Sequence, residues 1–159
     1  MDWSNVESGS TTTAPDWKEI EKQLIKNEEE FSSVTYKDIF GFWTIGWGHR
    51  DSTINSETPP WSLDYANKVF DEDFDDALMG ARHVCASFDT LNGCRKGVIV
   101  QMVFQMGENG VKKFVNTLRF IDEEDFESAA IGMKNSLWAK QTPFRARRLA
   151  ERMRTGIYD

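Results

Sequence analysis

The chain has 159 residues, with 26 Asp and Glu against 19 Lys and Arg, and a formal net charge of -7. Its size is that of one domain, or one domain with two lobes, with enough chain to bury roughly two thirds of its unfolded surface. The acidic balance argues against nucleic-acid binding, which depends on Lys and Arg neutralising phosphates, and against passive attraction to anionic envelopes. No apolar run approaches the roughly 20 residues of a membrane span, so membrane insertion is not expected. The N-terminus lacks the basic and apolar regions of a secretory signal, which predicts a cytoplasmic location in the producing cell unless something else moves the protein. Charge is unevenly spread: residues 71–76 (DEDFDD) and 122–125 (DEED) are acidic, and 145–154 (RARRLAERMR) is basic. Cys85 and Cys94 could close a small loop, but a cytosolic address favours free, half-buried thiols.

Residues 1–15 are Ser/Thr-rich without periodicity and predict a flexible leader. Pro15 and Asp16 open a helix, with Asp16 as N-cap and Glu19 completing a capping box. The apolar stripe of Trp17, Ile20, Leu24 and Ile25 continues at helical spacing onto Glu28 and Glu29. The helix therefore aims carboxylates where core residues are expected. Glutamates at a helix end are ordinarily solvated surface, and anions there oppose the macrodipole. A local violation of this kind is also where function tends to sit. Partial burial against Phe31 would favour the protonated form that a general acid needs.

Ser32 and Ser33 are expected to end that helix, and residues 34–37 and 42–47 read as two strands joined by a turn at 38–41. One face of the second strand carries Trp43, Ile45 and Trp47; the other carries Thr44, Gly46 and Gly48. Strand glycines mark either a bulge or the close approach of a ligand, so the nearly bare face is a candidate cleft wall. Asp38 and Thr44 could hold one water between a carboxylate and a hydroxyl, although Asp38 equally suits a turn. A polar, proline-containing loop follows His49 and leads to a helix capped by Ser62. Its inner face carries Ala66, Val69, Phe70, Ala77, Leu78 and also Asp73. That carboxylate needs a partner, and His49 is preferred to Arg82, as a structural pair bracing sheet against helix rather than as a catalytic group.

Residues 94–106 contain the most apolar segment, GVIVQMVFQM, a predicted buried helix whose end brings Phe104 and Gln105 near the cleft. Helical segments follow at 111–121 and 125–137, then a last helix with Thr142 as N-cap, Pro143 at its first position and Gly156 beyond its end. Arg145 and Arg148, at i and i+3 in that helix, are either ordinary surface arginines or partners of Glu28 and Glu29 at one site.

Taken together, Glu29, YKDIFGFWTIGWGH (36–49), VFQMGENGV (103–111), FVNTLR (114–119), W-AKQTPFRARR (138–148) and the final RTGIYD resemble the T-even phage type lysozymes, glycoside hydrolase family 24. The likeness runs from Trp17 to Asp159. It implies a two-lobed α+β lysozyme-like fold within residues 16–159: a small antiparallel sheet lobe at about 28–60, a linking helix at about 62–79 and a helical lobe at about 80–159. It also implies a monomeric muramidase acting on the β-1,4 bond of bacterial peptidoglycan. By the resemblance, Glu29 is the general acid, Asp38 the activating or stabilising carboxylate, and Thr44 the positioner of the attacking water. Arg50, Phe104, Gln105 and Thr117 fall on positions that line the glycan and peptide site. Arg145 and Arg148 fall on arginines that pair with Glu29 and Glu28.

Three features depart from the family pattern. The loop after His49 is shorter, Gly132 stands where a side chain contacts substrate, and the net charge is negative where the best-known members are strongly basic. Thr44 beside Asp38 leads to the expectation of an inverting reaction. No metal or organic cofactor is implied, because the two His and two Cys show no ligand spacing. A pore-forming or virion partner is the expected means of reaching the wall. Two alternatives stand beside the muramidase: a peptidoglycan-binding or virion structural module with little turnover, and a related activity on chitin-type polymers.

Overall fold

The computed structural model describes residues 16–158, so the leader expected at 1–15 lies outside the described residues. Helix α1 (Trp17–Glu29) starts at Asp16, whose carboxylate accepts from Lys18 N at 3.3 Å. Glu19 lies instead 3.7 Å from Lys22, so the capping box is only half made. The helix stops at Glu29, three residues before the expected serines, where Glu30 takes φ 53° and turns the chain.

Ser32 and Ser33 therefore open β1 (Ser32–Lys37), which pairs antiparallel with β2 (Trp43–Gly46), placing Tyr36 opposite Thr44. The turn is tied by Asp38, whose Oδ1 accepts from the backbone N–H groups of Phe40 and Phe42 at 2.9 Å each. Both strand limits differ from the alternation pattern, and so does one face. Gly46 and Gly48 have φ of 68° and 74°, because the chain doubles back after Ile45 to pair that residue with His49. Gly46 consequently faces Trp61, whose ring would lie 3.1 Å from an added Cβ; only Gly48 belongs to the cleft wall.

Helix α2 (Leu63–Val84) runs past the expected end at residue 79 and is capped by Ser62, which accepts from Tyr65 N at 3.1 Å. Helix α3 (Gly93–Lys112) is capped by Asn92 and carries Val98, Ile99, Val100 and Met102 into the core. Gly107, at φ 78°, breaks it, which leaves Val111 in the tail of α3 rather than in the next helix. Four short helices complete the chain: α4 (Val115–Asp122), α5 (Phe126–Lys134), α6 (Leu137–Gln141) and α7 (Pro143–Thr155). The segment expected at 125–137 divides because Ser136 caps α6 separately, accepting from Ala139 N at 3.1 Å. Pro143 and Gly156 sit where the sequence puts them, but the Thr142 hydroxyl does not cap α7; it donates to Trp138 O at 3.2 Å.

The result is an α+β fold in which α3 packs against α2, α1 and α7, and α5 against α7 and α4, around one apolar core. Cys85 and Cys94 are free, and both are fully rather than half buried. Burial pushes the Cys85 thiol up. Among the described residues no helix is long and apolar enough to cross a membrane.

Candidate active site

A cleft of about 400 Å³ lies between the hairpin, the end of α1, the end of the α3 apolar run and the start of α7. Glu29, Asp38, Thr44, Arg50, Phe104, Gln105, Arg145 and Glu28 all line it. As the last residue of α1, Glu29 projects beyond the helix barrel; its Oε2 accepts from Arg145 Nη1 at 2.9 Å. On its other side Gly48 leaves the space it needs, since an added Cβ would stand 2.6 Å from Oε1. Phe31 is not what shelters Glu29: that ring is exposed and rests on Trp47, centroids 4.9 Å apart. Glu28 accepts from Arg148.

Arg145 is only 9% exposed and is held from behind. Its Nε donates to Gln101 Oε1 at 2.8 Å, and Gln101 Nε2 donates in turn to Glu21 Oε2 at 2.7 Å. Glu21 is fully buried and accepts twice from Arg152, at 2.6 and 3.1 Å. A continuous chain of charge-assisted bonds therefore runs from the cleft into the core. Such a network fixes the guanidinium that faces Glu29 more firmly than a solvated pair would.

The second carboxylate is also engaged. Beyond holding the turn, Asp38 accepts through Oδ2 from Arg50 Nη1 at 2.5 Å, and the Arg50 guanidinium lies 5.1 Å from the centre of the Phe42 ring. Arg50, expected as a substrate contact, lines the cleft and also holds Asp38. Thr44 is buried, and its Oγ1 donates to Phe42 O at 3.0 Å. With its proton so committed, the hydroxyl offers only lone pairs to anything else, which suits it to accept from a water. Tyr36, across the ladder from Thr44, also lines the cleft; burial pushes its phenol up, with the nearby Glu29 and Asp38 carboxylates adding to the effect.

On the opposite wall Gln105 Oε1 accepts from Trp138 Nε1 at 2.9 Å, and Gln105 Nε2 donates to Thr142 at 3.5 Å. Thr117 and Gly132 lie elsewhere, in a neighbouring hollow of about 520 Å³ that also includes Trp138. Thr117 is buried there, and an added Cβ on Gly132 would stand 2.5 Å from its Oγ1. The glycine is what makes room for the threonine.

Residues 26–154 match the family described as Phage lysozyme. This chain belongs to the phage lysozyme family. It is a glycoside hydrolase with the α+β lysozyme-like fold. "Probable T4-type lysozyme 2" of Dictyostelium discoideum is 31% identical over 159 aligned residues, covering 85% of this chain and 94% of the relative. "Peptidoglycan hydrolase gp36" of Pseudomonas phage phiKMV is 32% identical over 126 residues, 79% of this chain and 14% of that longer protein. "Pre-baseplate central spike protein Gp5" of Enterobacteria phage T4 is 27% identical over 157 residues, 84% of this chain and 27% of that protein.

His49 stands behind the cleft wall with Nδ1 and Nε2 each 2.7 Å from a carboxylate, of Asp73 and Asp51 respectively. Arg82, the other candidate for Asp73, lies by Asp89 at 3.4 Å. The Asp73 bond outweighs the cost of burial, and with Asp51 it pushes His49 up to about 9. The Thr53 hydroxyl, then His49, hold Asp51 down at about 2. With both ring nitrogens taken, His49 braces hairpin and α2 and has no free nitrogen for proton transfer. Sequence reasoning passed over Glu21, Gln101, Arg152, Asp51 and Tyr36. Glu21 carried a usable signal, since it lies on the same α1 stripe, between Trp17 and Ile25, that drew notice to Glu29.

Proposed function

We propose that this lysozyme is a muramidase that cleaves the β-1,4 bond between N-acetylmuramic acid and N-acetylglucosamine in bacterial peptidoglycan, with inversion. The observation that carries the reading is the convergence of Glu29, Asp38 and the lone-pair-only Thr44 hydroxyl on one cleft. Protonated Glu29 donates to the glycosidic oxygen as the bond to the anomeric carbon breaks. A water held by Thr44 Oγ1 and Asp38 attacks that carbon from the opposite face, and Asp38 receives its proton. The Glu29 carboxylate left behind is met by Arg145, already in bonding position at 2.9 Å. Inversion requires the two carboxyls to stand roughly 6.5–9.5 Å apart so that the water fits between them. Support for the substrate comes from relatives named T4-type lysozyme and peptidoglycan hydrolase.

Digestion of purified peptidoglycan, followed by proton NMR of the first-formed reducing sugar, tests the scheme. The α-anomer is expected; the β-anomer would exclude inversion. A second reading, a virion module that binds the wall with little turnover, draws on the similarity to a protein named as a central spike. Binding to sacculi without any release of reducing ends is the result that would favour it.

A further inference from the structure

Of the buried side-chain polar atoms among the described residues, two find no hydrogen-bond partner: Arg145 Nη2 and Tyr158 Oη. Both residues line one hollow of about 550 Å³ between α1, α7 and the tail that follows it. It is distinct from the catalytic cleft, although Glu28 and Arg145 border both. Arg145 already gives Nη1 to Glu29 and Nε to Gln101, so Nη2 is its one nitrogen left over. The Tyr158 ring lies 4.8 Å from the Arg152 guanidinium; burial, with Glu21 adding to it, pushes the phenol up, so the hydroxyl keeps its proton.

We infer that this hollow is an effector site for a small amphipathic carboxylate, whose oxygens meet Arg145 and Tyr158 and whose apolar body lies on Leu24, Leu149 and Ile157. A guanidinium can only donate, so what satisfies Arg145 Nη2 is an acceptor, and the Tyr158 hydroxyl can donate as well. Three guanidiniums, of Arg145, Arg148 and Arg152, line the hollow against two carboxylates, of Glu28 and Glu151. Both carboxylates are already engaged, by Arg148 and Arg154. A negative acceptor therefore gains more here than a neutral one, because charge-assisted hydrogen bonds are the stronger kind. Water would match the donors but not the leucine and isoleucine walls. The volume falls in the roughly 300–1,000 Å³ range of small-ligand sites.

Occupancy reaches the catalytic acid through Arg145. The bound carboxylate draws on the same guanidinium that Glu29 accepts from at 2.9 Å, so it slows the chemical step without blocking the cleft. That effect on cleavage, though not the binding itself, rests on the muramidase reading.

The test is isothermal titration calorimetry of the full chain with sodium hexanoate at constant ionic strength, with hexanol and acetate as comparison probes. Hexanoate is expected to bind with a Kd of about 1 mM or below, and hexanol and acetate about tenfold more weakly or worse. Tyr158→Phe keeps the ring beside Arg152 and should weaken hexanoate about tenfold while leaving hexanol unchanged. Leu24→Trp, which fills the hollow, should abolish binding; melting temperatures check that both variants fold, and Tyr158→Phe decides alone if Leu24→Trp does not. In the active enzyme, saturating hexanoate should lower kcat about tenfold with KM unchanged, and Tyr158→Phe should require about tenfold more hexanoate for the same loss. No heat with hexanoate overturns the site. So does hexanol binding as well as hexanoate, or hexanoate binding that Tyr158→Phe leaves unchanged. A rise in KM alone would put hexanoate in the catalytic cleft, and binding that leaves kcat unchanged would overturn the effector role. If the parent cleaves no glycan, the muramidase reading fails on its own, and the calorimetry still decides the site.

Discussion

Gly48 and Glu29 are packed so closely that a methyl group on the glycine would stand 2.6 Å from the carboxylate oxygen. Gly48 also has φ 74°, where a residue with a Cβ is strained by about 1–2 kcal/mol. Gly48→Ala is therefore expected to displace the acid as well as destabilise the fold. Release of reducing ends should fall roughly 100-fold, the usual effect of an ångström's misplacement. Gly107→Ala is the control: its φ is 78° and nothing lies within 4 Å of the added Cβ. It should lose comparable stability and keep its activity within about threefold.

Glu21 and Arg152 form the innermost link of the chain of bonds behind Arg145. Arg152→Ala leaves a fully buried carboxylate without its cation and should cost about 3–5 kcal/mol by urea denaturation. Replacing both partners by apolar residues, Glu21→Leu with Arg152→Met, should recover most of that stability. The double variant should still cleave more slowly than the parent, because Gln101 no longer has Glu21 to hold it against Arg145.

His49 sets an alkaline limit on stability. Its folded value of about 9 lies above the ordinary 6.5, so its contribution is complete below pH 6.5 and disappears as pH rises through 9. Asp51 works in the opposite sense: at about 2 against 3.8, its contribution is complete above pH 3.8 and disappears as pH falls through 2. Both are fully present only between those limits. Allowing for solvent screening of a partly exposed pair, the His49 term is on the order of 1–2 kcal/mol. Unfolding free energies from urea denaturation at pH 6 and pH 10 should differ by that much more in the parent than in His49→Gln; equal differences would refute it.

The Thr44 hydroxyl should matter to the chemical step more than to binding. Thr44→Val removes the lone pairs offered to water, and with them about 100-fold of kcat, while KM changes little. Thr44→Ser, which keeps the hydroxyl, should retain activity within about tenfold.

The sequence made local features legible wherever one residue's chemistry was enough. Glu29 broke an apolar stripe, Asp38 sat alone in a turn, and Asp73 on an inner face required a cation that His49 supplies. What it hid depended on the path of the chain. Strand alternation assigned Gly46 to the cleft face, but the reversal after Ile45 turns it onto Trp61. The sharing of Arg145 between Glu29 and Gln101 joins residues from three helices, a relation that no spacing encodes. Thr117 and Gly132 drew notice only through the family resemblance, and the hollow they share, where the glycine makes room for the threonine, joins residues from two helices.

The most direct measurement is the release of reducing ends from purified peptidoglycan by Glu29→Gln, at the same concentration as the parent. Glutamine can still accept from Arg145, so the melting temperature should stay within a few degrees, and release should fall to the level of buffer alone. Release at a rate comparable to the parent would contradict the assignment of Glu29 as the acid on which the mechanism depends.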